Sequence, residues 1–64
     1  MSESLGLTIV RLRQKARLTQ KEAAAAVGVS DRQWQRYEWS ETPPSLDMLA
    51  KMAELFGVKQ ADLL

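Results

Sequence analysis

Residues 19–39 read TQKEAAAAVGVSDRQWQRYEW, and the fold is decided there. Thr19 with Glu22 three residues on has the pattern of a capping box; Gly28 ends the run that follows. Ser30 with Gln33 has the same pattern before a second run. The spacing predicts two short helices, at about 20–27 and 31–39, joined by a tight turn. A helix, turn and helix of this size is most often a device for placing its second helix in the major groove of DNA.

The second of these helices separates cleanly into two faces. At about 100° per residue, Tyr37, Glu38 and Asp31 fall within about 60° of Trp34, while Arg32, Arg36 and Trp39 point the other way. An aromatic inner face and a cationic outer face result. Val29 and Trp34 occupy the two positions of a hydrophobic staple. Arg32 and Arg36 stand four apart, a like-charge pair that costs an isolated helix about 0.2–0.5 kcal/mol. Arg32 also lies in the first turn, where the helix dipole disfavours a cation. Both penalties vanish against an anion, and such local conflict marks function. The guanidinium fork can take a guanine edge or a phosphate, and the amides of Gln33 and Gln35 can read adenine or bind phosphate. Asp31 is either a first-turn helix starter or an acceptor for a cytosine amino group. Trp39 either stacks near a DNA backbone or folds under the following loop.

In the first helix of the pair, Ala23, Ala24 and Val27 form the inner face, with Ala25 and Ala26 outward. The four alanines favour helix and leave room for a large neighbour. Gln20 opens the helix at an N-terminus that favours a phosphate.

Outward from this pair, residues 1–4 read as a short, polar, frayed lead. Leu5, Ile9, Leu12 and Ala16 then mark one face of a helix ending near Arg17, with Arg11, Lys15 and Arg17 off that face. After the loop SETPP, Ser45 caps a helix whose Leu46, Leu49, Met52, Ala53 and Phe56 form a stripe ended by Gly57. Met48, Leu55, Leu63 and Leu64 exceed one stripe, and either complete a small core or make a dimer contact.

Sixty-four residues set one small domain, 1–64, with a modest core. The chain has neither cysteine nor histidine, which removes disulfides, thiolate or imidazole metal sites and His or Cys catalysis. An enzyme is not expected, because carboxylates alone would have to act as acid and base and none form a convincing pair. Nor is any apolar run long enough to span a membrane, and the N-terminus lacks the pattern of a secretory signal, so a cytoplasmic protein is expected. The formal charge is only +1, but it is polarised. Residues 1–39 hold seven basic and four acidic residues, and residues 40–64 hold two and four. The basic end surrounds the helix pair.

Leu18-Thr19-Gln20, Val27-Gly28-Val29-Ser30, Tyr37-Glu38, Pro44-Ser45-Leu46, Phe56-Gly57-Val58 and Leu63-Leu64, at these spacings, resemble the helix-turn-helix domain of phage repressors, Cro proteins and bacterial XRE-type regulators. The resemblance covers essentially the whole chain. It implies an all-α, compact, five-helix, lambda-repressor-like domain whose second and third helices form the helix-turn-helix. It further implies a DNA-binding transcriptional regulator, expected to be a repressor, that binds a near-palindromic double-stranded operator as a homodimer. Neither cofactor nor small-molecule substrate is implied. Carried over by position, phosphate contact falls on Gln20, with the cations Arg17 and Lys21 nearby. Base contacts fall on Asp31, Arg32 and Arg36, and Gln33 and Gln35 touch base or backbone. Arg13 and Glu38 are implied to form a partly buried structural ion pair between the first and third helices.

The departures from that family are specific. Arg17 and Ser40 stand where glycine is common, Glu41 puts an acid in a loop that usually approaches DNA, and Lys59 replaces a capping Ser or Asp. Trp34 replaces Ile or Val and Ala23 replaces Leu, which reads as a volume-conserving exchange. A protein-interaction module such as an antitoxin-like domain is the alternative, supported by the low net charge and surplus apolar residues.

Overall fold

The computed structural model describes residues 4–63, and the expectation of a frayed lead at residues 1–3 lies outside them. Four helices follow in order: α1 (Leu5–Lys15), α2 (Gln20–Val27), α3 (Asp31–Glu38) and α4 (Leu46–Phe56). A single 3-10 turn, Gln60–Leu63, closes the described chain. The packing is α1 against α3 and the final turn, and α2 against both α3 and α4.

Each α-helix starts at a side-chain cap. Ser4, Thr19, Ser30 and Ser45 accept from the backbone N–H groups of Leu7, Glu22, Gln33 and Met48 at 3.0–3.3 Å. Ser4 is therefore the α1 cap and not part of a frayed lead. At α2 the capping box is complete, with Thr19 N–H donating to Glu22 Oε1 at 2.9 Å. Those bonds from the Thr19 backbone and hydroxyl hold the Glu22 carboxyl below its ordinary value, so the box strengthens α2 above that value and loosens as acid protonates it. At α3 only half of the expected box forms, because the Gln33 side chain does not return a bond to Ser30.

The helix ends share one closure. After α2 and α4, Gly28 and Gly57 take left-handed conformations at φ 78° and 69°. After α1 and α3 the same position is held by Arg17 at φ 61° and Ser40 at φ 59°. The hydrogen bonds match those at the glycines: Arg17 N–H to Gln14 O and Leu18 N–H to Arg13 O, then Ser40 N–H to Tyr37 O and Glu41 N–H to Arg36 O, at 3.0–3.2 Å. A side chain at such a φ is strained by roughly 1–2 kcal/mol. The glycine-for-side-chain departures at Arg17 and Ser40 thus keep the turn geometry and carry its cost.

The core holds Ile9, Ala23, Ala24, Val27, Trp34, Tyr37, Leu49, Met52, Ala53 and Leu63. Trp34 is its largest fully buried side chain and meets Phe56 edge-on, with ring centroids 6.3 Å apart. Two stripes differ from the sequence reading. Ala16, the α1 C-cap, is exposed, while Gly6 at the opposite end of the helix is buried. Leu46 is 70% exposed, because it opens α4 one turn before the helix reaches the core. The surplus apolar residues mostly finish the core: Leu63 is buried, Met48 and Leu55 pack on its edge, and Leu64 lies outside the described residues.

Where the family resemblance implies a fifth helix, the described chain makes only the 3-10 turn. Its capping is inverted: Lys59 has no side-chain oxygen to offer, and Lys59 N–H instead donates to Asp62 Oδ2 at 3.2 Å.

Three substitutions check these turns and this packing. Ser40→Gly and Arg17→Gly should each stabilise by up to about 1 kcal/mol, the relief of strain less the greater freedom of glycine when unfolded. A melting temperature that stays level or falls would refute the strain. Ala23→Leu should destabilise by about 1–3 kcal/mol, since Ala23 and Trp34 are both fully enclosed. A more stable variant in urea titration would show that Trp34 does not fill the space left by Ala23.

Candidate nucleic-acid interface

The orientation of α3 is fixed from inside by Glu38. Its side chain is 3% exposed, yet its two oxygens accept from donors on three elements. Arg13 of α1 gives Nε to Oε2 at 2.5 Å and Nη2 to Oε1 at 3.5 Å. Gln20 of α2 gives Nε2 to Oε1 at 2.8 Å, and the Trp34 indole N–H goes to Oε2 at 2.6 Å. Arg13 Nη1 also donates to the Leu18 carbonyl at 2.9 Å, fixing the turn that leads into α2. No buried side-chain nitrogen or oxygen among the described residues lacks a partner, as a buried carboxylate in a small core requires.

Gln20 therefore has two tasks. One N–H is committed to Glu38, and its carbonyl oxygen accepts from Gln35 Nε2 at 3.4 Å. That fixes which way the amide faces and leaves its second N–H for another acceptor.

On the opposite side, Arg32, Gln35, Arg36, Trp39 and Glu41 line one depression of about 240 Å³. The structure thus brings together Arg32, Gln35 and Arg36 from the expected site residues, and connects Gln20 to them through Gln35. Asp31 is exposed in the first turn of α3, and Gln33, two residues on and turned to another side of the helix, is half-buried. Lys21 is exposed in the first turn of α2, and Arg17 in the strained turn before it. None of these four lines the depression.

Trp39 and Glu41 belong to this face although the expected site left them out. Trp39 is 63% exposed and is not folded under the loop. Its angle on the helical wheel was the signal, with the outward-pointing arginines as neighbours. For Glu41 no periodic signal exists, because it follows the left-handed residue Ser40 and its direction is set by that turn.

The sequence profile of the helix-turn-helix domain family matches residues 4–64. The chain belongs to the helix-turn-helix domain family. Its relatives include ImmR, an HTH-type transcriptional regulator of Bacillus subtilis (strain 168), 38% identical over 61 residues. That match takes in 95% of this chain and 48% of ImmR, so the chain spans about half the length of this curated relative. Among solved structures, the P22 c2 repressor protein in complex with synthetic operator 9T superposes with a TM-score of 0.92 at 27% identity. The superposition covers 98% of this helix-turn-helix chain and 96% of the repressor chain.

The Glu38 junction makes a sharp prediction for this helix-turn-helix domain. Glu38→Ala should cost about 3–5 kcal/mol, since it strands a largely enclosed guanidinium and the buried indole N–H. Glu38→Gln should also be clearly destabilising despite its matched shape, because either orientation of the amide turns an NH2 group toward donors. Chemical denaturation showing the Gln variant as stable as the parent would refute the four-donor arrangement.

Proposed function

We propose that this helix-turn-helix domain, the DNA-binding part of a transcriptional regulator, acts as a repressor that binds a near-palindromic double-stranded operator as a homodimer. In this reading residues 1–64 work as one domain, in the cytoplasm, with α3 in the major groove. Two half-sites spaced by about one helical turn, roughly 34 Å, would each receive one copy. Among the described residues no helix is long and apolar enough to cross a membrane.

One observation carries the reading: Arg32 and Arg36 stand exposed, four apart, on a helix whose inner face is locked to α1 and α2 through Glu38. The helix that carries them is already in place, and an arginine fork matches the O6 and N7 acceptors of guanine. Gln35, held by Gln20, and Asp31 and Gln33 extend the base-reading set. The second N–H of Gln20, with Lys21 and Arg17, supplies phosphate contacts that set the register of the helix. The likeness to a repressor seen on its operator supports this assignment.

Selection from a randomised duplex pool at moderate salt tests it. The parent should enrich a palindrome, and Arg32→Ala should relax particular positions by about 1–3 kcal/mol of discrimination. Affinity should fall steeply with salt, because phosphate contacts release counterions. No enrichment with a folded protein would favour a protein partner instead.

A further inference from the structure

Arg32, Gln35, Arg36, Trp39 and Glu41 line the depression, and Glu41 is the one carboxylate among them. Its place is not accidental to a mobile loop. Ser40 takes its left-handed turn, and Glu41 N–H then donates to the Arg36 carbonyl at 3.0 Å, so the backbone of Glu41 is tied to the last turn of α3. Its side chain is exposed, and among the described residues it makes no ion pair with Arg32 or Arg36. The carboxylate therefore does not neutralise the arginines by contact. It adds a negative charge, on a backbone tied to α3, at the edge of a cationic face that also carries the exposed indole of Trp39.

Such a charge acts differently on the two modes of binding. Binding to arbitrary sequence draws almost wholly on phosphates, and a carboxylate held at the contact surface repels them. Binding to a matched site draws also on base edges, where Arg32 and Arg36 are satisfied by acceptors and the acid costs comparatively less. Discrimination gained by a penalty on the wrong partner is a general route to specificity.

We propose that Glu41 is a specificity-determining residue that works by exclusion, weakening attachment to non-cognate DNA more than attachment to the operator. The inference rests on the DNA-reading function proposed above.

The test compares the parent with Glu41→Gln on two probes: the duplex enriched by selection, and a scrambled duplex of equal length and composition. Glu41→Gln preserves the backbone bond to Arg36, and an unchanged thermal melt would verify the fold. On the scrambled duplex its affinity should rise about three- to tenfold near 0.1 M salt, and its salt slope should steepen by up to about one. On the selected duplex the gain should be smaller, so that the ratio of the two affinities falls. An equal gain on both probes, or none on the scrambled one, overturns the inference while leaving the DNA-reading function intact. If the parent itself binds both duplexes alike, the DNA-reading function fails and this inference fails with it.

Discussion

A carboxylate buried in a core this small is tolerable only if every lone pair has a donor, and that requirement shapes the molecule. Glu38 meets it with Arg13, Gln20 and Trp34, drawn from α1, α2 and α3. Three helices cannot shift independently without exposing a charge or stranding an indole N–H. The junction therefore acts as a geometric constraint as well as a source of stability. A buried ion pair gains little net free energy over a well-packed apolar cluster, but losing one member is costly. Its value here is in fixing one arrangement of α3 against its supports.

The surrounding packing is adapted to the same point. Trp34 fills the interior beside two fully buried alanines, and its nitrogen reaches Glu38 one turn along its own helix. A leucine or isoleucine could match some of that volume but would offer no donor. On the other side, Gly6 lets α1 approach the end of α3. A Cβ there would overlap the Glu38 carbonyl and lie 2.5 Å from Ser40 Oγ. Close approach of α1 is what brings Arg13 within reach, so an absent side chain at one position makes a charged contact possible at another.

The outer face inherits its order from this interior. Glu38 orients the Gln20 amide, and the Gln20 oxygen receives the amide of Gln35, which lines the depression with both arginines. A chain of hydrogen bonds thus runs from the core to the surface proposed to meet DNA. Ser40, in turn, bends the backbone so that an acid completes the rim. The face is mixed in sign and partly apolar, which suits discrimination better than indiscriminate attraction.

By itself, the sequence determined the parts governed by local rules. Period and capping residues set all four helices to within a residue or two, and the outward angle of Arg32 and Arg36 followed from helical geometry alone, as did the inward angle of Trp34 and Tyr37. The pairing of Arg13 with Glu38 entered only through family resemblance, since nothing in a 25-residue separation announces a contact. Tertiary structure decided the rest: that Gln20 serves Glu38, that Gly6 lies under α3, that Leu46 is left in water, and that Glu41, placed only loosely by the resemblance, shares one depression with Arg32 and Arg36. Each depends on where one helix lies relative to another or on a left-handed turn. Helical periodicity carries no information across such a break in the chain.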